Sequence, residues 1–156
     1  MRGGDAKIYV TVSSVYSTTG NFIVTANAQP IAISVTTATE MEGTVTNGNI
    51  VRVRGFENET GDITATRVEV RSDDDVIVQD NLQAFTPNDS IKILGVSFTV
   101  DAGGETEFQD TSDSTIDQTQ FSNDAPVGTL VKVKDKEGNS NTPPNGIADE
   151  IDIESP

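Results

Sequence analysis

The chain has 156 residues, enough for one domain or two small ones, and its formal charge of −15 comes from 25 acids against 10 bases. Such a charge repels nucleic-acid phosphates and anionic membrane surfaces. The lack of Cys and His excludes disulfides, thiolate nucleophiles, Cys/His zinc sites and Ser-His-Asp triads.

In chain order, short alternating apolar segments predict strands at Ile8–Tyr16, Asn21–Thr25, Ile31–Val35, Ile50–Gly55 and Ile63–Arg71. The series continues with Val76–Phe85, Ser90–Leu94, Val96–Val100, Leu130–Lys134 and Ile147–Ile153. Turn residues separate them: "TTGN", "NAQP", "TNGN", "NETGD", "TPND", "AGGE" and "NTPPNG". The apolar fraction is 34%, so the core is thin and rests on Val and Ile, which suit a pleated surface. Only Thr111–Phe121 could form a turn or two of helix, with Ile116 and Phe121 facing inward. No run reaches the ~18 apolar residues of a membrane helix, and "MRGGDAK" lacks an apolar signal core. This chain is therefore not expected to insert into a membrane.

The chain repeats itself. "GNIVRVRG" (Gly48–Gly55) matches "GTLVKVKD" (Gly128–Asp135), and "ATRVEV" (Ala65–Val70) matches "ADEIDI" (Ala148–Ile153). "IAISVTTATEM" (Ile31–Met41) matches "VSFTVDAGGETEF" (Val96–Phe108), with two extra residues at the glycines. Three matches in one order predict an all-β protein of two tandem small barrels, residues 7–72 and 76–154, since closure removes the exposed edges of so small a sheet. Val51, Val53, Val131 and Val133 then face inward, and Arg52, Arg54, Lys132 and Lys134 face outward. Ala65 and Ala148 sit where strands crowd at a bend. A β-sandwich is the alternative.

The pattern "ILGVSFTVDAGGETEF … VGTLVKVK … NGIADEIDIE" resembles the bacterial DUF5666 domain, and "FIVTANAQPIAISVTTATEM … NGNIVRVRG … GDITATRVEV" is a weaker version of it. Asp135 stands where the family pattern has Gly. The resemblance implies tandem OB-like barrels in exported or lipid-anchored envelope proteins. It implies no activity, since the family has none assigned.

The candidate metal site is the loop around "DKEGNSNTPPNGIADE", where Asp135, Glu137, Asn139, Asn141 and Asp149 offer oxygens at spacings suited to calcium. EF-hand spacing fails, because Ser140 holds the glycine position and Gly146 the glutamate position. The competing reading is an ordinary hairpin loop. Asp73–Asp75 and Asp110, Asp113 and Asp117 read as solvated acids. No acid sits in sequence surroundings apolar enough to raise its pKa, so no catalytic residue is nominated and a carboxylate hydrolase is the remotest alternative. Phe22, Phe98, Phe108 and Phe121 occupy core-like positions, while Tyr16 and Phe56 lie near turns. The expected function is a non-catalytic structural, assembly or binding module of the bacterial cell envelope or extracellular matrix, with a calcium-dependent binding module as the alternative. Its expected partners are copies of itself or envelope components, not nucleic acid. Lys7–Val12 ("KIYVTV") is a candidate strand for pairing with another subunit's open edge.

Overall fold

The computed structural model describes residues 6–15, 20–71, 75–136 and 145–155. The first half contains β1 (Ala6–Val15), β2 (Phe22–Ala26), β3 (Gln29–Ser34), β4 (Glu40–Glu42), β5 (Ile50–Glu57) and β6 (Ile63–Arg71). The second contains β7 (Val76–Asn81), β8 (Ala84–Thr86), β9 (Ser90–Ile93), β10 (Val96–Thr99), β11 (Glu107–Gln109) and β12 (Thr115–Ile116). After α1 (Gln118–Asp124) come β13 (Leu130–Asp135) and β14 (Glu150–Ile153). Among the described residues the protein is mostly β with one short helix. No helix among the described residues is long and apolar enough to cross a membrane.

Period-two alternation makes the strands two-faced. In β1, Ala6, Ile8, Val10 and Val12 are buried, and the residues between them are more exposed. Strands β1, β2, β3, β6 and β5 close a ring: β1 pairs β2, β2 pairs β3, β3 pairs β6 in parallel, β6 pairs β5, and β5 returns to β1. Phe22, Ile33, Val53 and Ile63 fill it, each at most 1% exposed. The ring bends where β5 and β6 shift register between Arg54 and Gly55. Gly55 is required there. A Cβ on it would stand 2.1 Å from the Thr64 carbonyl oxygen and 2.9 Å from the Ala65 Cα.

The pairings recur in the second half at the positions the sequence matches single out. Val53 faces Val68 across β5–β6, and Val133 faces Ile151 across β13–β14. Met41 faces Val68 in parallel, as Phe108 faces Ile151. The Thr39 hydroxyl donates to the Ala65 carbonyl at 2.7 Å, and the Thr106 hydroxyl to the Ala148 carbonyl at 2.6 Å. In place of the β3–β6 ladder there is a single bridge, Thr99 to Ile147. In place of continuous β1 there are β7 and β8, interrupted at Leu82–Gln83.

The two expected barrels share one sheet. Ten strands form one path, β12-β11-β14-β13-β7-β1-β2-β3-β6-β4, with β5 completing a mixed sheet of eleven; β8, β9 and β10 make a second, small sheet. The join is β1 against β7, with Lys7 opposite Gln79, Ile8 opposite Val78 and Tyr9 opposite Ile77. Ile8 also faces Val53, and Val78 faces Val133, so Ile8 and Val78 are equivalent positions meeting on a local two-fold axis. This corrects the expectation for Lys7–Val12. One edge of β1 is taken by β5 and the other by β7 and β2, which leaves no edge for another subunit.

The halves differ at one end. Residues 43–49 link β4 to β5 directly, whereas residues 110–129 between β11 and β13 carry β12 and α1. Asp117 caps α1 by accepting from the Gln120 amide at 2.7 Å, which turns Phe121 into the core. Phe121 packs 5.0 Å from both Phe85 and Phe108, ring centre to ring centre. Ile116, expected in the same inward set, packs beside this cluster from β12.

Candidate functional site

The expected metal loop splits on inspection. Glu137, Asn139 and Asn141 lie outside the described residues, as do Tyr16 and Asp73. Asp135 and Asp149 are held by backbone amides. Asp135 is 1% exposed and accepts from the amides of Asn145 at 3.2 Å and Gly146 at 2.7 Å. Asp149 accepts from the Lys136 amide at 2.6 Å. Asp135 stands at the position of Gly55. Where Gly55 lets β5 and β6 pair onward to Glu57 and Ile63, the β13–β14 pairing ends at Lys134 and Glu150, and the Asp135 carboxylate accepts from loop amides. Burial pushes Asp135 above the usual carboxylate range despite those amides. Burial and the neighbouring Glu105 carboxylate also raise Asp149. Glu105 accepts from the Asn145 side-chain amide at 3.1 Å. Among the described residues no three acidic side chains are grouped closely enough to hold a metal ion.

The densest charge lies on the outer face of the joined sheet. Strand pairing places Arg67, Arg54, Lys7, Gln79, Lys132 and Asp152 in one row from β6 to β14. The next row is Glu69, Arg52, Tyr9, Ile77, Lys134 and Glu150. With Arg71 and Lys136, eight of the ten bases of the chain lie on this face. No basic stripe is visible in the sequence, because the strands that form it are far apart along the chain.

Its two ends are neutralised. Arg67 bonds Glu40 at 2.9 Å and Glu42 at 3.0 Å, and both Arg67 and Arg71 bond Glu69. Glu69 is 5% exposed beneath these stems; burial opposes its ionisation, but the two guanidinium bonds hold it below the usual range. At the other end Lys134 and Lys136 bond Glu150 at 2.9 and 2.7 Å, and Lys132 bonds Glu154 at 2.8 Å. Burial opposes ionisation of Glu150 too, yet the two lysines hold it down to about 2. Burial and the Glu150 carboxylate push Asp152 up to about 7.

The centre is not neutralised. Lys7 and Arg54 have no ion-pair partner among the described residues, and Arg52 reaches Glu69 only at 4.0 Å while lying over the Tyr9 ring at 5.3 Å. Partial burial, then Arg54, Arg52 and Lys132, lower the Lys7 pKa. Arg52, Arg54, Arg67 and Glu69 line a cleft of about 170 Å³.

A carboxyl pair lies on the opposite, inner side of the sheet. Asp80 is 4% exposed; one of its oxygens accepts from the Asn81 amide at 2.8 Å and the other has no partner among the described residues. Burial first, then the hydrogen bond and charge of Asp80, push Glu57 up to about 7. This and Asp152 overturn the expectation that no acid has a raised pKa. A signal was present: Val76, Val78 and Asp80 alternate on β7, so Asp80 occupies an inward position.

Residues 11–69, which run from the middle of β1 to near the end of β6, match the family described as "Domain of unknown function (DUF5666)". This is one match; no second copy is found where the tandem pair was expected. No curated protein and no solved structure matches the chain.

Proposed function

We propose that this chain, with its single DUF5666 domain over residues 11–69, is a non-catalytic structural or binding module of the bacterial cell envelope or extracellular matrix. In this reading its halves are two versions of one small OB-like barrel, and it assembles through the edge of β4. The observation that carries it is the difference between equivalent edges. In the second half β11 is flanked by β14 and β12, and Phe108 is 3% exposed beneath the β12–α1 cover. In the first half β4 pairs only β6 among the described strands, and Met41, at the position of Phe108, is 46% exposed. An open edge beside an exposed apolar side chain favours addition of a strand from a partner. The local two-fold join of β1 and β7 supports the same reading, since it is edge-to-edge pairing between equivalent strands.

Sedimentation velocity of the purified chain over a range of concentrations tests this. Association that Met41→Lys abolishes, with the circular dichroism spectrum unchanged, supports the edge. The substitution lowers the net negative charge, so relief of repulsion alone would strengthen association. A chain that stays monomeric throughout contradicts the assembly reading.

A second reading, calcium-dependent binding, is favoured by one arrangement. Glu105 places negative charge near Asp149 and Asp135 beside the loop where calcium was expected, and this repulsion adds to burial in raising the pKa of both aspartates. Thermal melting with calcium and with EDTA separates it from the first.

A further inference from the structure

We propose that the cleft bounded by Arg52, Arg54 and Arg67 binds an oxyanion, the carboxylate, sulfate or phosphate group of a small or polymeric ligand. This site is separate from the β4 edge and does not depend on the assembly reading.

Four observations converge on it. First, 25 acids and 10 bases make an unpaired base anomalous in this chain, yet Arg54 and Lys7 sit side by side without an ion-pair partner among the described residues. Second, Arg52, Arg54 and Arg67 line one cleft of about 170 Å³ with the Glu69 carboxylate at its floor; Arg67 is already paired with Glu40, Glu42 and Glu69, so Arg54 and Arg52 supply the donors that face a ligand. Planar guanidinium donors match the oxygens of a carboxylate, sulfate or phosphate better than an ammonium does. Third, Glu69 beneath the cleft is 5% exposed and bonds Arg67 and Arg71, which fixes Arg67 at the rim before any ligand arrives. Arg52 is held in turn over Tyr9. Fourth, Lys7, Arg54 and Arg52 stand side by side across β1 and β5, and their mutual repulsion adds to burial in lowering the pKa of Lys7. An anion in the cleft relieves it.

The test is thermal melting of the full chain at low ionic strength with three probes: inorganic phosphate, monomeric galacturonate and polygalacturonate. Two variants accompany it. Arg54→Gln removes the unpaired guanidinium, and Lys92→Gln removes one charge from β9, away from the face. A probe at roughly ten times its Kd raises the Tm by about 3–6 °C. The proposal predicts that rise in the parent and in Lys92→Gln, and its loss in Arg54→Gln. A rise with phosphate or galacturonate means the cleft reads the single group; a rise with polygalacturonate alone, again lost in Arg54→Gln, means the group is read on a polymer. No rise with any probe, or an equal rise in Arg54→Gln, overturns the proposal. An equal loss in Lys92→Gln also overturns it, because the effect is then net charge and not a site.

Discussion

Replacing Asp80 with Asn removes the charge that disturbs Glu57 and keeps the shape of the site. The Asn oxygen still accepts from the Asn81 amide, and its NH2 takes the place of the oxygen that has no partner among the described residues. Glu57 has a folded pKa of about 7 against 4.5 unfolded. The folded state therefore holds a proton that the unfolded state has lost, and this contribution to stability is complete below about pH 4.5 and disappears as pH rises through 7. The difference, 7 − 4.5 = 2.5 units, corresponds to about 3.4 kcal/mol at full value. Burial is the largest cause of the shift and persists in the variant, so only the share due to Asp80, screened by solvent at the half-buried Glu57, is lost on substitution, about 0.5–1 kcal/mol. At ~2–4 °C per kcal/mol for a chain of this size, the parent Tm falls about 1–4 °C more than that of Asp80→Asn between pH 5 and pH 8. Asp152 is also pushed up to about 7 and titrates in the same window, but the substitution leaves it in place, so the difference between the two Tm curves isolates the effect of Asp80 on Glu57. Differential scanning calorimetry across this range measures it. Parallel curves for parent and variant would refute the effect of the Asp80 charge on Glu57.

Three further predictions follow from the same geometry. Asp135→Ala strips two backbone amides of their acceptor and lowers the urea unfolding free energy by about 2–3 kcal/mol; a loss under ~0.5 kcal/mol would mean the carboxylate does not organise the loop. Gly55→Ala drives a methyl into Thr64 and costs about 2–4 kcal/mol, while Gly103→Ala, with nothing within 4 Å of the new methyl, stays within ~0.5 kcal/mol; equal effects would contradict the close approach of β5 and β6. Since no three acidic side chains among the described residues are grouped closely enough to hold an ion, melts with calcium and with EDTA are expected to coincide; a Tm rise with calcium would instead favour the calcium reading.

Strand positions were legible wherever apolar residues alternate over five residues or more, and the inward Val51, Val53, Val131 and Val133 are buried as the alternation required. Strands of two or three residues, β4, β11 and β12, were not legible, because so short a segment carries no period. The helix was expected over Thr111–Phe121 and runs over Gln118–Asp124; Phe121 faces inward as expected. The match of "ATRVEV" to "ADEIDI" located β6 and β14, but their carboxylates differ in role. Glu69 sits under two arginines, whereas Asp152 shares its surroundings with Glu150 and two lysines. The join of β1 to β7 left no trace in the pattern, since alternation fixes which face a strand buries and not which edge it offers. The basic rows follow from that join, so they too were hidden, and the charge of −15 pointed away from them.

The central claim is that the chain assembles through the uncovered edge of β4, and the sedimentation coefficient of Met41→Lys against the parent tests it most directly. The account predicts that the parent's coefficient rises with concentration and that the variant's stays at the monomer value. A parent that remains monomeric, or a variant that associates as the parent does, would contradict it.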